Sequence, residues 1–531
     1  MSKQPSSPVR DITRDLLRDL GLTTVFGNPG STELGFLSAW PDDFRYVLAL
    51  QELCAVAMAD GYAQFTGNAA LVNLHSIGGV GHAMGAIATA YHNHSPLVIL
   101  AGQQSRALLG GEPFLGGIDP TTLVKPYVRW AVQPARAADV PAAIQRAYLV
   151  ATTPPCGPTL VSVPADDWEQ PGAPITPRPR LGGIAPDPER LAEVVEALAV
   201  SQHPALVLGG AVDADGASAD AVALAEALGA RVYAAPMTGR CSFPEDHRLF
   251  GGFLNAAHRN LAIKLSGHDL VVVVGAPAFV EHVVSDDPGP ELPALHVISA
   301  DANELSWAPE GVGLNATPRL ALRGLLAGWG GRVSRTEPTE PAAVPVPEAS
   351  QPISASYVLS VISEVQPADA IVVEEIPSHR PALHRHLPIR RPGGFFTGQS
   401  GVLGFALPAA IGVALAQPDR PVLALLGDGS SLYSIQGLWT AVQQRVNVTF
   451  VIFDNGQYGA LRALAEGAGY AKVPGTELGG TDFRLLAQAW NCPAENVTDP
   501  ADLAPILRTA LATPGPALIR VALSADYHAL Y

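Results

Sequence analysis

The chain has 531 residues, enough for about three domains at roughly 100–200 residues each. Its net charge is −16, which argues against nucleic acid or an anionic membrane surface as the main partner. Charged residues make up 15% and apolar residues 48%. This excludes a disordered chain and predicts a large core, with part of the surface covered by other subunits.

The N-terminal segment MSKQPSSPVRDITRDLLRDL is charged and has no apolar h-region, so no signal peptide is expected. Next comes FGNPGSTEL, with Ser31 after a tight N-P-G turn. Alone, Ser31 reads as an ST-turn or helix cap, with Glu33 and Leu34 opening the helix. Residues 47–64 are apolar except for Gln51, Glu52, Asp60 and the closing Gln64. A carboxyl group set among apolar residues is expected to be partly buried, and burial raises its pKa unless a partner compensates. Glu52 is therefore a candidate proton donor, with a helix-terminal or ion-paired glutamate as the alternative.

The runs AALVNL (69–74), which leads into His75, and SPLVILAG (95–102) read as buried strands, with a helix over 82–92 between them. Gly79, Gly81 and Gly85 in SIGGVGHAMGA raise a dinucleotide loop. The acid such a site needs at the end of the next strand is missing, since the first one is Glu112. A turn needing glycine for close backbone packing is the better reading. His92 and His94 show no third metal ligand and are assigned to a loop. The cysteines, 54, 156, 241 and 492, have neither C-x-x-C nor metal spacing, so a reduced, cytoplasmic enzyme is expected.

Pro-rich stretches at 170–183 and 336–352 read as extended linkers. They divide the chain into 1–175, 184–335 and 353–531. In the middle part PALVLGG, VVVVGAP and LHVIS are strands; in the last, AIVVEE, PVLALLGDG, NVTFVIFDN and PALIRVAL. Apolar strands alternating with helices predict three doubly wound α/β domains with parallel sheets. Residues 401–416, GVLGFALPAAIGVALA, are too short for a membrane span and read as a buried helix.

Ligands in such sheets bind at the carboxyl ends of strands. One strand stops at Gly427-Asp428-Gly429-Ser430, a helix SLYSIQGLWTAVQQ follows, and the next strand stops at Asp454-Asn455-Gly456. A right-handed crossover sets the oxygens of Asp428 and Asn455, 455 − 428 = 27 residues apart, at one sheet edge. A carboxylate and an amide oxygen, with a backbone carbonyl such as that of Gln457, suit Mg2+ and leave positions for a diphosphate. Gly427 and Gly429 allow close approach to phosphates, and Ser430 sits at a helix start. Each dipeptide alone could be a turn.

Together, GDGS with Asn455 and the embedded Glu52 resemble the thiamine diphosphate-dependent enzymes. The likeness runs along nearly the whole chain and is nearest to the benzoylformate decarboxylase branch. It is carried also by FGNPGSTEL, LALQE, ADGYAQ, NLHS, GHAMGA, VPADDW, GFALPAAIGVALA and NGQYGALR. The resemblance implies pyrimidine-binding, central and diphosphate-binding domains. It implies thiamine diphosphate with Mg2+ on Asp428, Asn455 and Gln457, and cofactor contacts from Asn28, Ser378, Gly401, Leu403, Gly427, Gly429, Ser430 and Tyr458. Glu52 would protonate the aminopyrimidine, Leu403 would hold the cofactor bent, and Ser31 would bind the substrate carboxylate. His75 and His282 would move protons. Pocket walls would come from Leu115, Thr397 and Leu464, positions where the branch tends to carry aromatic residues. Ile376-Pro377-Ser378 departs from the hydroxyl-rich run expected near the diphosphate.

The implied reaction is non-oxidative decarboxylation of an aromatic 2-keto acid, such as benzoylformate, to an aldehyde through an ylide and an enamine. A carboligase or acetolactate synthase-like lyase is the alternative. A non-catalytic relative would show a broken motif, and none is found. No flavin signal appears in the middle domain. Because Glu52 and the metal ligands lie in different domains that pair between subunits in this family, a homodimer is the expected minimum and a homotetramer the expected assembly.

Overall fold

A computed structural model describes residues 7–284, 286–308, 311–330 and 344–525. They form three six-stranded sheets whose neighbouring strands all pair in parallel. The first holds β1 (Thr24–Asn28), β2 (Arg45–Leu48), β3 (Ala70–Leu74), β4 (Leu97–Gln103), β5 (Trp130–Val132) and β6 (Thr159–Pro164), in the order β2-β1-β3-β4-β6-β5. The second holds β7 (Pro204–Leu208), β8 (Arg231–Ala234), β9 (Phe250–Phe253), β10 (Leu270–Val274), β11 (Ala294–Ser299) and β12 (Gly313–Asn315), ordered β12-β11-β10-β7-β8-β9. The third holds β13 (Ile371–Glu375), β14 (Phe395–Thr397), β15 (Val422–Gly427), β16 (Val448–Asp454), β17 (Ala494–Val497) and β18 (Ala517–Ala522), ordered β14-β13-β15-β16-β18-β17. The three α/β sheets expected from the apolar runs are present. The central strands are buried along their whole length, which is why they lack polar alternation.

Three helices differ from the sequence reading. The helix expected over 82–92 is Ser76–His92, so Gly79, Gly81 and Gly85 are helical and do not form a turn. A Cβ on Gly79 would stand 3.4 Å from the Glu52 Cγ, at ordinary contact distance. The helix expected over 401–416 is only Ala406–Ala416, because Gly401 and Gly404 hold positive φ and make a turn before it. The single helix after Asp428 is two, Asp428–Leu432 and Gly437–Gln444.

Helix Glu52–Thr66 of the first sheet packs on helix Ala406–Ala416 of the third, and one apolar core runs through both. The backbones nearly touch. A Cβ on Gly412 would fall 1.9 Å from the Met58 carbonyl oxygen, and one on Gly61 would fall 2.2 Å from that of Ala409.

A buried polar chain ties the second sheet to the other two. Asp60 is wholly buried and accepts from Gln64 Nε2, Asn93 Nδ2 and Ser95 Oγ. Gln64 accepts through its backbone and side-chain oxygens from Arg240. Arg240 pairs with Asp213 at 2.8 Å and stands over the Phe396 ring. Asp213 in turn accepts from the Gly393 N–H.

The first linker is extended and pinned, with Arg178 N–H donating to Gln145 and Arg180 reaching Tyr148. Of the second, residues 336–343 lie outside the described residues. The cysteines are free thiols. Among the described residues no helix is long and apolar enough to cross a membrane.

Candidate active site

At the carboxyl edge of the third sheet, β15 pairs with β16 so that Gly427 lies opposite Phe453. Asp428 and Asn455 therefore leave the sheet side by side, as their spacing predicted. Asp428 opens its helix, and its Oδ1 accepts from the Gly429 N–H at 2.8 Å. Its Oδ2 is buried with no hydrogen-bond partner. Burial pushes this carboxyl up to about 6, and Asp454 adds to the rise. Asp454 itself is tied to Arg520 at 2.7 Å. A buried carboxylate oxygen without a donor is costly unless a cation meets it, so the site's hard-oxygen character fits a divalent ion. Among the described residues no cluster of three His, Cys, Asp or Glu could hold a metal, so such an ion would rely on amide and carbonyl oxygens beside Asp428.

Asn455 Oδ1 accepts from the Gln457 N–H, and the Gln457 carbonyl accepts from Gly459. Tyr458 is tied to Thr476 through its N–H and packs beside Gly429. Ser430 is buried beside Gly427. Ser378 Oγ accepts from the Ala460 N–H at 2.9 Å. It thereby holds helix Gly459–Gly467, which carries the half-buried Leu464.

The first sheet gathers a second group at its own carboxyl edge. Asn28 ends β1 opposite Leu74 of β3, which brings the Ser31 turn against His75. Ser31 is exposed in a 3₁₀ turn, Ser31–Glu33. The His75 ring lies on Gly30, where a Cβ would fall 2.2 Å from it. His75 Nδ1 stands 3.0 Å from Glu33 Oε2 and 3.0 Å from Thr32 Oγ1. Glu33 is buried and also accepts from the Gly30 N–H at 2.8 Å. From the sequence Glu33 reads only as a helix start. The signal was available, since a glutamate at the third helical position reaches back to an N-terminal N–H in a capping box. Nδ1 faces this carboxylate, so Nε2 is the ring nitrogen turned away from it.

Glu52 is 9% exposed and is the first residue of its helix, with Gln51 as the capping residue. Its Oε2 is 3.1 Å from His82 Nδ1, so the helix-terminal and paired alternatives both apply. The neighbouring Leu53 packs against Gly404, so the helix that begins at Glu52 meets the Gly401–Gly404 turn. Gly401 and Val402 are exposed at that turn, and Leu403 is half-buried.

Three residues stand apart. His282 is exposed on the central domain, its N–H donating to the Ala256 carbonyl. Thr397 is buried in β14, its Oγ1 donating to the Glu374 carbonyl and accepting from Arg380. That hydroxyl is engaged within the sheet edge and does not line an open cavity. Leu115 is partly exposed on a loop beside a cavity of about 790 Å³ bordered by Gln103, Pro113, Gly116 and Gln133. His92 ends its helix, and His94 faces Arg129 and Glu304.

Parallel α/β domains with a carboxylate–amide oxygen pair on one sheet edge, and a buried glutamate opening a helix on another, define an α/β enzyme class whose candidate site lies at the carboxyl ends of the strands. The chain matches the thiamine pyrophosphate enzyme families along its length. The N-terminal TPP binding domain matches over residues 8–123, the central domain over 191–325 and the C-terminal TPP binding domain over 375–521. It belongs to the thiamine pyrophosphate enzymes. The chain is 42% identical to benzoylformate decarboxylase of Pseudomonas aeruginosa, covering 97% of this chain and 98% of that one. Its fold superposes on benzoylformate decarboxylase from Polynucleobacter necessarius with a TM-score of 0.96 and 39% identity, covering 98% and 99% of the two chains. It superposes on a thiamine diphosphate-dependent 4-hydroxybenzoylformate decarboxylase of Rhodococcus jostii RHA1 with a TM-score of 0.94 and 40% identity, covering 98% and 100%. The resemblance drawn from the motifs is borne out.

Proposed function

We propose that this chain is a thiamine diphosphate- and Mg2+-dependent lyase that decarboxylates an aromatic 2-keto acid of the phenylglyoxylate type to the aldehyde and CO2. The observation that carries the reading is the unpartnered, buried Asp428 Oδ2 beside Asn455, in a chain whose likeness to benzoylformate decarboxylases extends over nearly its whole length. When bound, the coenzyme supplies a nucleophilic carbon and an electron sink. Asp428, Asn455 and the Gln457 carbonyl would hold the metal, with Gly427, Gly429, Ser430, Ser378 and Tyr458 around the diphosphate. Glu52 would hold a proton at the pyrimidine end, with Asn28, Gly401 and Leu403 framing the coenzyme.

Ser31 would orient the substrate carboxylate. His75, steadied by Glu33, and His282 would carry protons to and from the acyl carbon. Leu115 and Leu464 are the proposed determinants of the acyl pocket; Thr397, also proposed from the sequence, is bound to Arg380 and Glu374 within the sheet edge. The domains are proposed to run 1–175, 184–335 and 353–531. The working form is a cytoplasmic homodimer at least, and a homotetramer by expectation, because pyrimidine and diphosphate ends come from different subunits in this family.

The test is a 2-keto acid panel with and without thiamine diphosphate and Mg2+, scoring CO2, aldehyde and acyloin. Phenylglyoxylate should give aldehyde and CO2 only when both are present. Acyloin as the main product would move the chain to the carboligases.

A further inference from the structure

The turn before helix Ala406–Ala416 has its apex in the open and its two ends fixed. On the incoming side, the Gln399 N–H donates to Asn93 Oδ1 at 3.0 Å. The Ser400 hydroxyl meets Thr89 Oγ1 at 2.7 Å and accepts from the Val402 N–H. On the outgoing side stands Glu375, the last residue of β13. One carboxyl oxygen accepts from the Gly404 N–H at 2.7 Å, the other from the Ala406 N–H at 2.9 Å. Glu375 is buried. The first residue of the helix has Phe405 before it, which offers no capping side chain. The carboxyl from the neighbouring strand therefore takes the place of a helix cap.

We propose that Glu375 is a positioning residue: its carboxyl group, spanning the N–H groups of Gly404 and Ala406, sets the height of the Gly401–Leu403 apex and thereby the fit of the coenzyme. The placement supports this. Gly404 holds φ +99°, and a Cβ on it would be 2.9 Å from the Tyr433 Cβ and 3.3 Å from Leu53 Cδ2. Tyr433 closes the helix that starts at Asp428, and Leu53 adjoins Glu52. The turn is thus wedged between the helices that carry the proposed metal ligand and the proposed proton donor. A shift of Gly404 has no open direction on that side, so freedom gained there passes to the apex. Both carboxyl oxygens are needed, because each N–H lies under a different one.

The inference rests on the coenzyme part of the proposed function and is independent of the acyl group. In the unmutated chain without coenzyme, hydrogen exchange should show the Gly404 and Ala406 amides protected and the Gly401 and Leu403 amides fast. Glu375→Gln keeps the shape but turns an amide NH2 toward one of the two N–H groups. It should speed exchange at 404 and 406 by about ten- to a hundredfold and weaken thiamine diphosphate binding, followed by fluorescence titration, by a similar factor. Amides of the Asp428 helix and of β15 should be unchanged, and KM for the keto acid at saturating coenzyme should stay within about twofold. Fast exchange at Gly404 and Ala406 in the unmutated chain would overturn the proposal without any variant. So would a Gln variant with unchanged coenzyme affinity, or one in which exchange rises equally throughout the chain. Coenzyme binding is read directly, so an error in the assigned substrate leaves this test untouched.

Discussion

Glu52 shows how one side chain is prepared by its surroundings. Gln51 caps the helix, Gly79 lies beside the glutamate stem, and His82 meets the carboxyl at 3.1 Å. Glu52→Gln removes the proton and keeps the shape. Turnover should fall by about a hundred- to ten-thousandfold, with coenzyme and Mg2+ still bound, as measured by CO2 release and by titration. A second residue-scale prediction concerns Asp60. Its burial pushes the carboxyl up to about 6, against the pull of the Ser95, Gln64 and Asn93 donors. A folded-state pKa above the unfolded value, about 3.9 for aspartate, contributes stability that is complete below about pH 4 and is lost as pH rises through about 6. A shift of this size corresponds to about 3 kcal/mol. Asp60→Asn should lack that component, so the stability of the parent relative to the variant should fall between about pH 4 and about pH 6.5. Urea unfolding at the two pH values checks this. Burial also raises the Glu375 carboxyl, against the pull of the Ala406 and Gly404 N–H groups, and adds a decline of the same sign that sets in above the unfolded glutamate value of about 4.3.

At the scale of elements, the apolar runs located the buried central strands well, because a strand covered on both faces writes its burial directly into composition. β1, β2, β5 and β9 are among the strands that lie outside those runs. β5 and β9 are half-buried along most of their length, and such short, partly exposed strands carry little periodic signal. The helix breaks failed for another reason. The turn at Gly401–Gly404 is made by two glycines at positive φ that the apolar run around them hides, and the split after Leu432 carries no proline or glycine before Gly437 to mark it. The close pair of helices 52–66 and 406–416 gives a sharp prediction. Gly412→Ala places a methyl group where the Met58 carbonyl stands. It should destabilise the chain by about 1–3 kcal/mol, read as a lowered unfolding midpoint, whereas Gly81→Ala, whose Cβ meets nothing within 4 Å, should not.

At the scale of the molecule, Arg240 links the three sheets through Gln64, Asp213 and the Phe396 ring. Arg240→Met would leave Asp213 buried beside only the Gly393 N–H. The loss should be about 3–5 kcal/mol, seen by denaturant unfolding. A loop beyond β4 exposes Phe114 at 86% and Ile118 at 85%. The sequence by itself determined the three-domain α/β plan, the family and the Asp428–Asn455 pair, because strand burial and strand-end spacing are local properties. Only the tertiary structure decided that Glu33 steadies His75, that Glu375 caps a helix from another strand, and that Thr397 is spent on Arg380. Those contacts join residues 42, 29 and 17 positions apart, and no local pattern states which of many buried acids and hydroxyls will meet.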